Sequence, residues 1–226
     1  MENNTIVNNS DMNEAHRSHI VKLMPEKLIG VEGTKSAEEV WEKRDEIISF
    51  AYHAALCHDC GKISIMDTIF IYGRKLLDME FDLIKTHPKT GYELLSRYPS
   101  TKKYAEVALG HHKWYDNSRG YPEDSDTKDS PIKPIIDIVL CADCLDAATD
   151  TVGRSYNRGK TVEEFTGELI EGSGTHYAPW LPELFSDPAV KSDIEYLLKE
   201  GRQQKYREIY YLLRNMTDRV TRDYGD

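Results

Sequence analysis

Apolar residues recur at intervals of three and four along most of this chain, and that period predicts helices almost throughout. A polar tail over residues 1–10 leads into a helical segment, Asp11 to Met24, stopped by Pro25. After a Gly-containing stretch, Ile29 to Lys35, Ser36 and Glu39 have the spacing of a capping box. They open a long helix to Cys57, with Val40, Trp41, Ile47, Ile48, Ala51, Ala55 and Leu56 at helical spacing. Further helices are predicted over Met79–Lys85, Pro88–Arg97, Thr101–Lys113, Ile132–Thr149 and Val162–Glu171, and nothing reads as a sheet. The polar run Tyr115 to Pro131 is longer than a compact domain carries without a functional reason. From Val190 to Val220 a charged amphipathic pattern (Ile194, Leu197, Leu198, Tyr206, Ile209, Tyr210, Leu213, Met216) predicts one long helix or two, with Gly201 as the break.

The expected fold is therefore all-α. The 226 residues suffice for one hydrophobic core with tails: residues 1–10 as a disordered polar tail, 11–185 as the domain, and 186–226 as a C-terminal helical extension. The net charge of -10 argues against binding polymeric nucleic acid, which depends on many Lys and Arg contacts to phosphate. No apolar run approaches the roughly 18 residues of a membrane span, and the Asn-rich first ten residues do not resemble a signal peptide. A cytoplasmic protein that does not engage membranes is expected.

Chemistry enters with Cys57 to Lys62, CHDCGK, where His58 and Asp59 stand together at the end of an apolar helix. A carboxylate placed there without compensation costs several kcal/mol, roughly, in desolvation, whereas a divalent metal would use it. His87 precedes Pro88 where a new helix begins, His111 and His112 are neighbours at the end of another, and Asp143 lies in a helix apolar on most sides. Taken singly, each of these has an ordinary structural explanation. Jointly they form a His-rich set with two aspartates, suited to Fe, Mn or Zn rather than Ca or Mg, and larger than one tetrahedral site needs. Two dications bridged by a carboxylate such as Asp59 lower the pKa of a shared water and clamp a phosphoryl oxygen, so that hydroxide attacks phosphorus in line. Lys62 could then stabilise phosphate charge, although Gly-Lys after a helix is otherwise an ordinary solvated turn. The pairs Cys57/Cys60 and Cys141/Cys144 could form a four-cysteine metal site, but each pair sits on a predicted helix, and packing as small hydrophobes fits better. Asp146, on the face of Asp143, is either a hydrogen-bond partner for a ligand histidine or a member of an ordinary ion pair.

The pieces HDCGK (58–62), IKTHPKTG (84–91), HH (111–112) with GYP (120–122), ADCLDAATD (142–150), RSY (154–156) and GSGTHYAP (172–179) resemble, in this order, the HD-GYP family of HD-domain metal-dependent phosphohydrolases. The resemblance runs from about His16 to Trp180 and implies an HD-domain helical bundle. It also implies hydrolysis of a cyclic dinucleotide, foremost cyclic di-GMP, to linear pGpG and/or GMP by a metal-activated hydroxide. It places His16, His58, Asp59, His87, His111, His112 and Asp143 on metal-ligand positions, with His19 the alternative to His16 and Asp59 the bridge. Asp59 and Lys62 become the catalytic pair, and Lys62, Tyr121 and Arg154 the substrate contacts; the family's second arginine is missing from RSYNR here, and Arg158 is the residue that would substitute for it. The implied cofactors are two divalent transition metals, Fe or Mn first and Zn or Ni next; the glutamate that accompanies a third metal in some members is Met12 here.

Several departures bear on the substrate rather than on the metals. The loop before GYP holds one extra residue, in the run Asp116 to Pro122 that includes Arg119, the stretch between His16 and His58 is longer by about ten residues, and Ala178 stands where an aspartate is common. Two alternatives follow: an HD-type phosphohydrolase acting on another nucleotide or phosphate ester, or a catalytically weak nucleotide-sensing module. In either case the C-terminal helix offers a surface for a homodimer or a sensory partner.

Overall fold

In the computed structural model, residues 19–66, 76–151 and 158–224 are described; of 218–224 only the helical backbone is. Among these residues the fold is a bundle of helices with a long C-terminal helical segment and no sheet. Two isolated bridges, Lys113 to Gly120 and Ser173 to Tyr177, are the β-type pairings present. The elements are α1 (His19–Leu23), α2 (Ala37–Glu42), α3 (Arg44–Cys57), α4 (Asp78–Ile84), α5 (His87–Ser96), α6 (Pro99–Lys102), α7 (Ala105–Gly110), α8 (Lys133–Thr149), α9 (Val162–Glu171), α10 (Leu181–Ser186), α11 (Pro188–Tyr196) and α12 (Arg202–Tyr224). A π turn, Leu197–Gly201, joins α11 to α12.

Local chemistry accounts for some boundaries. Ser36 caps α2 by accepting the Glu39 N–H, while the Glu39 carboxylate reaches back to the Lys35 N–H rather than to that of Ser36. Thr161 and Glu164 make the full reciprocal capping box at the start of α9. The single helix expected from Ser36 to Cys57 is broken at Lys43, which rotates the buried face. Val40, Ile47, Phe50 and Ala54 point inward, whereas Trp41, Ala55 and Leu56 are exposed. The helix expected over Thr101–Lys113 is likewise divided into α6 and α7, with Tyr104 between them buried against the Phe50 ring at 5.4 Å. Gly201 closes the π turn, so the C-terminal pattern resolves into two helices.

Two core clusters hold the bundle together. One joins α2, α3, α7 and the first half of α8 with the turns at Leu28 and Val31; the other joins the second half of α8 to α9, α10 and α11. Helix α8 runs through both, and Asp143 projects from it. Ala178 is fully buried in the second cluster, where a carboxylate would carry a desolvation cost. From Gln203 to Thr217 every residue of α12 is exposed. No helix among the described residues is long and apolar enough to cross a membrane.

Candidate metal centre

The ends of three helices converge on the middle of α8. His58 and Asp59 follow α3, His87 is the first residue of α5, His111 and His112 follow α7, and Asp143 projects from α8. Gly61 makes this convergence possible, because a Cβ there would lie 2.0 Å from the His87 carbonyl oxygen. The turn after Asp59 therefore packs backbone to backbone against α5.

The imidazoles are oriented by their own helices. Nδ1 of His58, His87 and His111 lies 2.6, 2.7 and 2.9 Å from the carbonyl oxygen three residues earlier, at Ala55, Ile84 and Ala108. A carbonyl can only accept, so each Nδ1 carries the proton and each Nε2 is turned inward. His87 Nε2 and His111 Nε2 are 3.1 Å apart, and they lie 3.1 and 3.6 Å from Asp59 Oδ1. Three electron-rich atoms at such spacing, with both histidines fully buried, require positive charge among them. Asp59 Oδ1 and His58 Nε2 are buried without a hydrogen-bond partner. These residues fit a metal, and the orphaned atoms are the ones that would hold it.

The donors fall into two groups: Asp59, His87, His111 and His112, and His58, Asp59 and Asp143. Asp59 belongs to both. His58 Nε2 lies 3.4 Å from Asp59 Oδ2 and 3.8 Å from Asp143 Oδ1, and His112 Nδ1 lies 3.9 Å from Asp143 Oδ2. Two clusters sharing one carboxylate match a binuclear site.

Protonation follows the geometry. Burial pushes His58 down, but the Asp143 and Asp59 carboxylates beside it outweigh that and carry this imidazole up to about 10. Burial pushes the Asp59 carboxyl up, yet the His111, His58 and His87 imidazoles hold it well below the usual carboxylate range. Burial keeps His111 and His112 neutral, the form that binds metals. At neutral pH a metal entering the His58 group must therefore expel a proton. Titration calorimetry in buffers of different ionisation enthalpy should show about one proton released, and affinity should weaken about tenfold for each pH unit lowered. No proton release together with pH-independent affinity would contradict this assignment.

Lys62 and Tyr121 border the cluster. Lys62 Nζ ion-pairs with Asp59 Oδ2. Tyr121 lies with its ring 4.4 Å from that of His112, and burial, with the nearby Asp143 and Asp59, raises its hydroxyl so that it stays protonated. Gly120 allows this placement: its φ is +86°, and a Cβ would meet the His112 carbonyl oxygen at 2.0 Å. The extra Arg119 stacks over Trp114 at 5.1 Å, and Trp114 stacks in turn on His176 at 4.7 Å.

Other expected participants lie elsewhere. His16 and Arg154 fall outside the described residues. His19, the alternative to His16, is held 2.5 Å from Asp193 of α11. Arg158 is exposed and ion-paired with Glu164 at 2.6 Å. Asp146 turns away from the histidines to Arg202, also at 2.6 Å, so it takes the ion-pair role. None of the four cysteines is in a disulfide; they pack with two different core clusters, and no ligand group among the described residues includes one. Sequence reasoning missed Lys113, a buried lysine whose Nζ donates to the Glu123 carbonyl at 3.4 Å and ties down the GYP loop. Its place directly after His111-His112 was the available signal.

The fold and the site define a helical metal-binding domain with paired His-Asp ligand groups. Residues 33–181 match the HD domain family, and the chain belongs to it. It is 38% identical over 134 residues to a cyclic di-GMP phosphodiesterase of Thermotoga maritima, covering 58% of this chain and 35% of that protein. It is 35% identical over 166 residues to the cyclic di-GMP phosphodiesterase response regulator RpfG of Xanthomonas campestris, covering 72% of this chain and 39% of that one. A 3'3'-cGAMP-specific phosphodiesterase of Vibrio cholerae is 34% identical over 134 residues, covering 58% of this chain and 25% of that one. The chain thus spans between a quarter and two fifths of the length of these relatives. It is an HD domain related to the HD-GYP cyclic di-GMP phosphodiesterases.

Proposed function

We propose that this domain is a metal-dependent phosphodiesterase that opens a cyclic dinucleotide, foremost cyclic di-GMP, to linear pGpG and/or GMP. The observation that carries the reading is Asp59: one carboxylate belongs to both ligand groups, and its second oxygen holds the Lys62 ammonium. His58, Asp59 and Asp143 would hold one cation, and Asp59, His87, His111 and His112 the other, with His16 completing the set. Iron or manganese suits this donor set first, with zinc or nickel next. When bound, the cations would lower the pKa of a shared water and polarise the scissile phosphate.

The remaining work falls to the chain itself. Lys62 sits beside the cluster and neutralises charge that builds on the phosphoryl oxygens in the transition state. Tyr121, kept protonated, offers a hydroxyl to the phosphate and a ring edge that narrows access. Arg154, with Arg158 for a second contact, supplies the phosphate contacts that an anionic substrate needs on a protein of net charge -10. On the exposed α12, Tyr206, Ile209, Leu213 and Met216 recur at three- and four-residue spacing, which supports pairing with a second copy or with the helix of a sensory partner. A cytoplasmic location is part of the same proposal.

A hydrolysis panel tests the reading: cyclic di-GMP, 3'3'-cGAMP, cyclic mononucleotides and a simple phosphate diester, each with and without chelator. Chelator-sensitive turnover of cyclic dinucleotides is expected, at least about tenfold above the others. Preferential turnover of mononucleotides would favour a different phosphate ester, a second reading motivated by Arg119, whose guanidinium stacks on Trp114 beside the GYP loop. Tight binding without turnover in metal-loaded protein would favour the sensing module.

A further inference from the structure

The GYP loop folds back on the ligand histidines as a short antiparallel pairing. The Tyr121 N–H donates to the His112 carbonyl and the Trp114 N–H to the Arg119 carbonyl, both at 3.2 Å, with Lys113 and Gly120 opposite each other between them. Side chains alternate faces along such backbone, so His112 and Trp114 stand on one face with Tyr121 and Arg119 across from them. The contacts agree: the Tyr121 ring packs on His112 at 4.4 Å, and the Arg119 guanidinium lies over Trp114 at 5.1 Å. Lys113 leaves on the other face, where it is buried and donates to the Glu123 carbonyl. The face that carries a ligand histidine thus continues, two residues on and roughly 7 Å away, into an arginine on an aromatic ring.

This arginine is held in place but its hydrogen-bonding edge is free. Trp114 is itself stacked on His176 at 4.7 Å, and the Tyr115 and Asp116 N–H groups donate to the His176 and Thr175 carbonyls at 3.0 and 3.1 Å. Asn117, at φ +59°, lies in the turn, and its side-chain oxygen accepts the Thr127 N–H at 3.1 Å. Three carboxylates of the loop are engaged elsewhere: Asp116 accepts the Ser118 N–H at 2.9 Å, Asp124 pairs with Lys89 at 2.7 Å, and Asp126 accepts the Lys128 N–H at 2.8 Å. Arg119 is exposed, and among the described residues no carboxylate pairs with it.

A stacked guanidinium presents its N–H fork edgewise. Guanine offers that fork two adjacent acceptors, O6 and N7, whereas adenine puts an amino donor in the place of O6. An aromatic ring with a guanidinium on it is also a surface on which a base packs. With Lys62 and the cations serving the scissile phosphate, a group two residues beyond Tyr121 stands where the base attached to that phosphate reaches. We propose that Arg119 is a specificity-determining residue that reads the guanine edge of a cyclic dinucleotide. This deepens the phosphodiesterase reading and rests on it.

The test uses the full chain loaded with metal, with cyclic di-GMP, cyclic di-AMP and, as a diester without a base, bis(p-nitrophenyl) phosphate. Wild type should prefer cyclic di-GMP to cyclic di-AMP by about tenfold or more in kcat/KM. Arg119→Ala should abolish that preference by raising KM for cyclic di-GMP about tenfold, with cyclic di-AMP, bis(p-nitrophenyl) phosphate and metal content changed less than about twofold. Arg119→Lys keeps the charge without the fork and should not restore the preference. A wild type without preference, an Arg119→Ala variant that keeps it, equal weakening of both dinucleotides rescued by lysine (a phosphate contact), or a matching loss on the base-free diester (a support for the loop) would each overturn the assignment. Equilibrium binding of the phosphorothioate analogues of the two dinucleotides separates this from failure of the reading beneath it. If wild type turns over neither dinucleotide, an Arg119-dependent preference in binding leaves the base contact standing and the phosphodiesterase reading rejected; no such preference rejects both.

Discussion

Asp59→Asn is expected to cut turnover of cyclic di-GMP by about a thousandfold or more and to lower metal content sharply. Asp59 is the one residue in both ligand groups, and its carboxylate lies among the His58, His87 and His111 nitrogens. The amide is nearly isosteric, so the helix ends can stay where they are. What is lost is negative charge and one of two acceptor oxygens, leaving a bridging ligand to be replaced by a neutral donor. With the carboxylate gone, His58 also loses part of what holds its proton, so its imidazole should titrate nearer the ordinary range. Elemental analysis beside a single-turnover assay checks the first expectation, and histidine NMR of the metal-free protein checks the second. Full metal content with normal turnover would remove Asp59 from the mechanism.

Lys62→Met should separate charge stabilisation from metal binding. Lys62 ion-pairs with Asp59 but contributes no metal-ligating atom while protonated, and it is partly open to solvent. If its ammonium serves the phosphate, kcat/KM falls about a hundredfold, roughly 3 kcal/mol of transition-state stabilisation, with both metals retained. The methionine keeps the length and apolar stem, so packing of the turn over Cys60–Ile65 should survive. Loss of metal in step with activity would instead make Lys62 a support for Asp59. Retention of both would return it to the status of a solvated turn lysine.

What the sequence made legible, and what it hid, divides along the range of the interactions. Helix α9 was readable to its ends because Thr161 and Glu164 are local signals. The six residues from His58 to Asp143 were readable as one set because buried histidines and aspartates at helix ends have few stable alternatives, and the structure does bring them together. The break at Lys43 was not readable, since the apolar spacing on either side is helical and the face of α3 is chosen by tertiary packing around Phe50 and Tyr104. Trp41 and Leu56, which share the helical spacing of the apolar residues, accordingly lie on the exposed face. The pairs His19–Asp193 and Asp146–Arg202 bridge distant parts of the chain and leave no periodic trace. Arg202 in particular reads as an ordinary surface residue of an amphipathic helix until α8 is seen beside it.

The central claim is a binuclear centre bridged by Asp59, and metal stoichiometry tests it most directly. Elemental analysis of protein purified without oxygen should find about two transition-metal ions per chain. It should find one or fewer in Asp59→Asn. A single metal in wild type that survives this substitution, or none at all under metal-replete conditions, would contradict the account.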